Sequence, residues 1–284
     1  MTYRFIESHR PAFALEKMCK ALEVSRSGYY SWRCRPVSRR ESENRQLLSE
    51  IEDTARKSRW TYGSPRVTAE LRARGLVCGK NRAAKLMREH DIAAKIRRKF
   101  RKTTNSQHKL PIANDLLCRD FFSSEPNRIW ASDITYLWTR EGWLYLAAVM
   151  DIYSRRIVGW SLGASLDAGI AISALNKALQ TRKPARELIF HSDRGIQYAS
   201  ASFCSVLNEH GIIQSMSHKG DCYDNAIMES FFSTLKAEIK CFGALETRNN
   251  AHLTIFEYIE MFYNRQRRHS TLNYKTPEEF EMPK

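Results

Sequence analysis

The sequence predicts a mixed α/β sheet covered by helices on both faces, preceded by an all-α basic region. Three observations carry this prediction. Three strand-like stretches follow one another from residue 128 with links too short for crossover helices, so they pair antiparallel. From residue 170 helix and strand patterns alternate, which adds parallel strands with helical cover. Charge is also lopsided: residues 1–110 hold 27 Lys and Arg against 11 Asp and Glu, and residues 111–284 hold 19 against 20. The net charge of +15 therefore sits in the first two fifths of the chain, where a polyanion, nucleic acid before any other, is the fitting partner.

The 284 residues suffice for two modest domains with cores of their own. No apolar run is long enough to span a bilayer, and the N-terminus lacks a signal-peptide pattern, so no membrane association is expected. The seven cysteines (19, 34, 78, 118, 204, 222 and 241) form no Cys-x-x-Cys pair. They read as reduced cytosolic thiols, neither a disulfide framework nor a zinc site.

The helical region spans 1–102. Phe13, Met18, Ala21 and Leu22 form an apolar stripe, Glu23–Ser25 a turn, and Ser25 caps a second helix ending near Trp32, giving a helix-turn-helix outline. Val37–Glu43 reads as a charged linker, and 44–58 as a helix on Leu47, Leu48, Ile51 and Ala55. Ser64-Pro65 marks the start of a helix that carries Val67 and Leu71 and stops at Gly75. The next helix, from Lys80, buries Ala83, Leu86 and Met87 and shows Lys80, Arg82, Lys85 and Arg88 on its other face. Those four side chains are candidates for DNA contact, as are Arg97 and Arg98 in the acid-free run KIRRKFRK at 95–102. Residues 103–126 read as a linker.

A core follows over 127–245. Its strands are expected at Arg128–Trp138, Trp143–Asp151, Arg156–Leu162, Glu187–His191 and Ile212–Met216, with helices at Ile170–Thr181 and Ser200–His210. Gly220, Asp221 and Asp224 give turn chemistry before a helix from Asn225, whose buried stripe is Ile227, Phe231, Leu235 and Ile239. Residues 246–284 add a helix over 250–264 and a basic tail capped by Thr276-Pro277.

Three acids stand out by placement. Asp133 lies mid-strand among residues suited to burial. Asp193 ends a buried strand where the chain turns on Gly195. Glu229 lies off the apolar stripe in the first turn of its helix, with Ser233 and Lys236 further along the same face. Strand ends and a helix start converge at the edge of such a sheet. Gathered carboxylates repel, and hard divalent cations bound through oxygen relieve that repulsion. Two such ions can drive an in-line attack on phosphorus. Acids that cap turns or pair with arginine are common, so any one of these three alone reads as structural, and Asp151, Asp167 and Asp221 are read that way. Spacing sharpens the case, with 59 residues between Asp133 and Asp193 and 35 between Asp193 and Glu229.

With WASDITYL (130–137), HSDRGIQYAS (191–200), DNAIMESFFSTLKAE (224–238), YNRQRRHSTLNYKTPEEF (263–280) and YGSPRVTAELRARG (62–75), the chain closely resembles the second-reading-frame (OrfB) transposases of IS-three-family insertion sequences. These belong to the DDE retroviral-integrase-like superfamily, and the resemblance covers nearly the whole chain. It implies a ribonuclease-H-like core in which Asp133, Asp193 and Glu229 are the catalytic ligands of two Mg²⁺ or Mn²⁺ ions. It implies cleavage of double-stranded DNA at element ends and transfer of the freed 3′-hydroxyl to a target phosphate, without a covalent protein–DNA intermediate. Lys236 matches the family's basic position for DNA near the cut. His191, Arg194 and Asn225, by proximity in sequence, are further candidates for DNA contact. No cysteine pair matches the zinc module of retroviral integrases. A homo-oligomer is expected because two ends must be held together, and an upstream-frame (OrfA-like) protein or fusion is expected because no heptad stretch of zipper length is present. The expected location is the bacterial cytoplasm, at the nucleoid. Two other readings share these features: a non-catalytic DNA-binding regulator derived from a transposase, which the intact triad argues against, and a nuclease that hydrolyses strands without joining them.

Overall fold

The structure, a computed structural model, describes residues 2–36, 38–95, 112–217 and 225–282. Arg97 and Arg98, and the turn residues Gly220, Asp221 and Asp224, lie outside the described residues. The chain forms two compact units that part between Glu50 and Ile51. The second basic helical hairpin thus falls in the same unit as the sheet, whereas the sequence reading grouped it with the helices of 1–102.

In the first unit α1 (Thr2–His9), α2 (Leu15–Ala21) and α3 (Arg26–Arg33) close on Ile6, Met18, Cys19 and Tyr29. Ser25 caps α3, its Oγ accepting the Gly28 N–H at 3.0 Å. The sequence pattern missed α1 because Ile6 is its one buried residue, so no stripe repeats. The next helix, α4 (Arg39–Lys57), runs across the division and takes in most of the expected linker. Ser38 Oγ accepts the Glu41 N–H, and Arg39–Glu43 and Arg45–Glu41 pair at i,i+4. The charge that looked like a linker is an exposed helix face.

The second unit opens with α5 (Ser64–Ala73) and α6 (Lys80–Glu89). The cap of α5 is Gly63 rather than Ser64, which places Pro65 inside the first turn, where its missing N–H has no intrahelical acceptor to lose. Strands β1 (Ile129–Thr139), β2 (Gly142–Asp151) and β3 (Ile157–Gly163) form the antiparallel part of a five-stranded sheet of order β3-β2-β1-β4-β5. After α7 (Ala168–Arg182), β4 (Ile189–Ser192) pairs parallel with β1. The short α8 (Ile196–Ala199) and then α9 (Ala201–Glu209) lead to β5 (Ile213–Met216), parallel to β4.

The core fills the layer between the sheet and α7–α9, with Trp130, Val149, Leu175, Phe190 and Phe203 at its centre. A Cβ at Gly159 would lie 2.3 Å from the Ala174 carbonyl and 2.7 Å from the Ala178 nitrogen, so α7 rests directly on the β3 backbone. Part of the expected 103–126 linker is built in. Asn114 accepts the Met216 N–H, Leu116 N–H donates to Ser215 Oγ, and Leu117 is buried.

Next comes α10 (Ala226–Glu238), then α11 (Arg248–Phe256), which continues as a π-helical stretch over Glu257–Tyr263, and finally α12 (Pro277–Glu281). The capping box of α12 joins Thr276 and Glu279. The basic tail proves structural at its centre. Arg267 meets buried Glu238 through two hydrogen bonds of 2.8 Å, and the Tyr258 hydroxyl donates to the same carboxylate at 2.9 Å. Arg268 donates to Glu70 of α5 at 2.6 Å, while its N–H donates to the Tyr62 hydroxyl. These two arginines are buried ties between α5, α10 and the C-terminal segment, not a solvated basic surface.

Glu238→Ala is expected to cost ~3–5 kcal/mol by leaving Arg267 buried without its partner. The double variant Glu238→Leu/Arg267→Met is expected to lose much less. Urea unfolding of both measures this, and equal losses would contradict it.

Candidate active site

The parallel register of β1 and β4 builds the site. Ser132 pairs with Ser192, and the residue after each is an aspartate: Asp133 continues β1, and Asp193 leaves the end of β4. Glu229 lies in the first turn of α10, a helix that packs on β1. Asp133 and Asp193 are half-buried and Glu229 is exposed. Burial raises the Asp133 carboxyl well above the ordinary carboxylate range. The charges of Asp193 and Glu229 push it up further, against the opposing pull of the Ile134 N–H and Lys236. The three acids therefore occupy one electrostatic neighbourhood.

They are not drawn into a finished ligand sphere. Among the described residues no group of three His, Cys, Asp or Glu side chains has the arrangement of a metal site. Asp133 Oδ1 accepts its neighbour Ile134's N–H at 2.8 Å, and Asp193 Oδ1 accepts the Gly195 N–H at 2.9 Å. A Cβ at Gly195 would lie 2.9 Å from that same Asp193 oxygen, so a side chain there would displace the carboxylate. The donor set still fits a divalent cation. All three groups are carboxylate oxygens, and the repulsion that raises Asp133 is what a hard cation relieves.

One residue that sequence reasoning missed ties the three elements together. Ser132 Oγ donates to the Ala148 carbonyl at 3.0 Å and shares a 2.8 Å hydrogen bond with the Tyr198 hydroxyl on α8. The Ser132 carbonyl accepts from Asn225 Nδ2, at the start of α10, at 3.3 Å. Tyr198 is fully buried, and its hydroxyl is pushed well up by burial and then by the charges of Asp133 and Asp193. Polar residues inside otherwise apolar blocks, Ser132 in WASDITYL and Tyr198 in HSDRGIQYAS, were the available signal.

The other candidates divide. Lys236 is exposed on α10, with its Nζ 4.5 Å above the Tyr136 ring. Partial burial lowers its ammonium, and the charge of Asp133 acts in the opposite direction. Arg194 Nε donates to the Ser217 carbonyl at 2.6 Å. His191 does not face DNA. It is fully buried, with Nδ1 2.9 Å from Ser215 Oγ and 4.0 Å from Asp115, because residues 112–121 cover that side of β4. Asn225 is likewise buried, and its Oδ1 has no hydrogen-bond partner among the described residues. On α6, Lys80, Lys85 and Arg88 are exposed, Arg82 is half-buried, and Lys85 reaches Glu89 at 3.7 Å.

Comparison with known proteins decides the family. Models described as an integrase core domain match residues 123–222 and 210–277, and an HTH-like domain model matches 41–100. The transposase InsF for insertion sequence IS3A of Escherichia coli (strain K12) is 44% identical over 283 residues, spanning 99% of this chain and 98% of that protein. The chain belongs to the IS3 family of insertion-sequence transposases. This transposase is also 44% identical, over 93% of its length, to an uncharacterized 31 kDa protein of insertion element IS600 from Shigella sonnei, of which 97% is covered. Among solved structures, the simian T-cell lymphotropic virus intasome in complex with PP2A regulatory subunit B56 gamma aligns with a TM-score of 0.49 and 19% identity, covering 78% of this chain and 72% of that one. The HTLV-2 integrase catalytic core domain in complex with magnesium aligns at 0.43 and 18%, covering 55% and 97%. The mixed sheet of the transposase is the ribonuclease-H-like fold, with a helical HTH-like region before it.

Folding raises the Asp133 pKa, so without metal the stability of the transposase falls as pH climbs from the ordinary carboxylate range to the raised value. Asp133→Asn is expected to lack that fall and to melt above wild type at neutral pH in EDTA. Added Mg²⁺ is expected to raise the melting temperature of wild type more than that of the variant. Thermal unfolding across pH tests both, and identical profiles for the two proteins would contradict them.

Proposed function

We propose that this transposase cleaves DNA strands at the ends of its element and transfers the freed 3′-hydroxyl to a target phosphodiester, with Asp133, Asp193 and Glu229 holding two divalent ions. The observation that carries this is the convergence of Asp133 on β1, Asp193 at the end of β4 and Glu229 in the first turn of α10, the helix that packs on β1. The bound Mg²⁺ or Mn²⁺ would activate the attacking oxygen and stabilise the leaving one. The chain's own part is to orient. β1 and β4 present two carboxylates side by side, and α10 brings the third from its N-terminal turn. Ser132, through Tyr198 and Asn225, sets how those elements meet. The attacking group is water or a DNA hydroxyl, with no covalent protein–DNA step.

Lys236 and Arg194 contact the strand near the cut, and the exposed face of α6 with Lys80, Arg82, Lys85 and Arg88 tracks phosphates. Two ends require a homo-oligomer, and an OrfA-like upstream-frame partner completes end recognition. No helix among the described residues is long and apolar enough to cross a membrane, and the work on DNA belongs in the cytoplasm.

Asp133→Asn, Asp193→Asn and Glu229→Gln are each expected to abolish nicking and joining of element-end DNA while keeping its binding. A strand-transfer assay with gel-shift controls measures this, and a variant with full activity would remove its residue from the site. Lys80→Glu, Lys85→Glu and Arg88→Glu together are expected to flatten the dependence of affinity on salt, by roughly 0.9 in log–log slope for each phosphate no longer neutralised. An unchanged slope would move the DNA surface off α6.

A further inference from the structure

The β1–β2 hairpin carries an aromatic row that the proposed chemistry does not use. Trp138 and Trp143 face each other across the strands, with ring centroids 4.9 Å apart at 75°. Tyr136 stands edge-on to Trp143 at 5.1 Å and 89°. Trp138 is 60% exposed and Trp143 46% exposed. Cross-strand aromatic pairs do steady hairpins, but this tip is already closed by polar contacts. Thr139 Oγ1 donates to the Gly142 carbonyl, Arg140 N–H donates to the Glu246 carbonyl, and Arg248 N–H donates to Glu141. Closure of the turn therefore does not account for two indoles left facing solvent.

The row and the site meet at one edge. Beyond Ser132 β1 has no β4 partner, Tyr136 lies three residues past Asp133 on the other face of the strand, and Lys236, whose charge reaches Asp133, sits over the Tyr136 ring. By strand rise, Trp138 is roughly 17 Å from Asp133, a reach of a few nucleotides. An exposed cation followed by exposed π-faces suits a ligand that offers phosphate and flat rings together. A second protein copy would have to match both features with separate groups.

We infer that Trp138 and Trp143 form a stacking platform for an unpaired nucleobase of the DNA strand whose phosphate lies at Asp133, with Lys236 holding the intervening phosphate. The inference rests on the proposed DNA-processing function and adds that the enzyme grips a frayed or splayed end beside the cut. The platform is sequence-tolerant, because every base has a π-face.

The test uses the full chain in EDTA with three duplexes: blunt, with a short single-stranded overhang containing 2-aminopurine, and with an abasic overhang. Wild type is expected to bind the 2-aminopurine overhang more tightly than the other two and to quench its fluorescence. Trp138→Ala and Trp143→Ala are expected to bind that overhang roughly 5- to 150-fold more weakly, without quenching and with blunt-duplex affinity unchanged. Trp138→Phe is expected to retain most of the effect. Alanine variants that bind and quench like wild type would overturn the inference. So would sedimentation showing that they only dissociate a protein dimer. Because no metal or joining step is needed, quenching by a chain that never joins strands would sink the proposed function alone. Wild-type joining without quenching would sink the platform alone.

Discussion

Two aspartates that follow a matched pair of serines, one on β1 and one where the chain leaves the parallel strand β4, are the constraint around which this molecule is arranged. The register of Ser132 with Ser192 delivers both carboxylates to the same end of the sheet. Their repulsion is opposed by close neighbours: a backbone N–H on each aspartate, and the charge of Lys236 from α10 on Asp133. A tightly packed core, with α7 seated on bare β3 backbone at Gly159, lies beneath them.

Holding the third carboxylate is a separate task. Glu229 is exposed, so its position depends on the far end of α10, where Glu238 is buried against Arg267 and Tyr258. A buried ion pair adds little net stability compared with apolar residues of the same shape, but it fixes geometry. The same C-terminal segment holds α5 through Arg268 and Glu70, so the basic hairpin and α10 share one anchor.

Elements with a strong period were legible in the sequence. The three antiparallel strands, the α6 face and the start of α10 fall within a few residues of expectation, because alternation and apolar stripes report burial directly. What stayed hidden depends on partners far along the chain. Arg267 and Arg268 read only as part of a basic tail because Glu238 and Glu70 cannot be matched to them by local pattern. His191 read as a phosphate contact because nothing local shows residues 112–121 folding over it. Most of the 37–43 stretch read as linker because its charge pairs only once the helix exists. At the site, types and spacing pointed to the three acids. The Ser132 junction escaped because a serine in a strand signals nothing until Tyr198 and Asn225 arrive.

The tie between Glu70 and Arg268 joins residues 198 positions apart, and Tyr62 donates to the Gln266 carbonyl across a separation of 204. Contacts this distant make assembly slow and late. During translation the early basic hairpin must wait, emerged from the ribosome but unanchored, until nearly the whole polypeptide has been made. A premature stop or frameshift shortly before residue 266 would therefore leave α5 and α6 without their clasp as well as removing the tail.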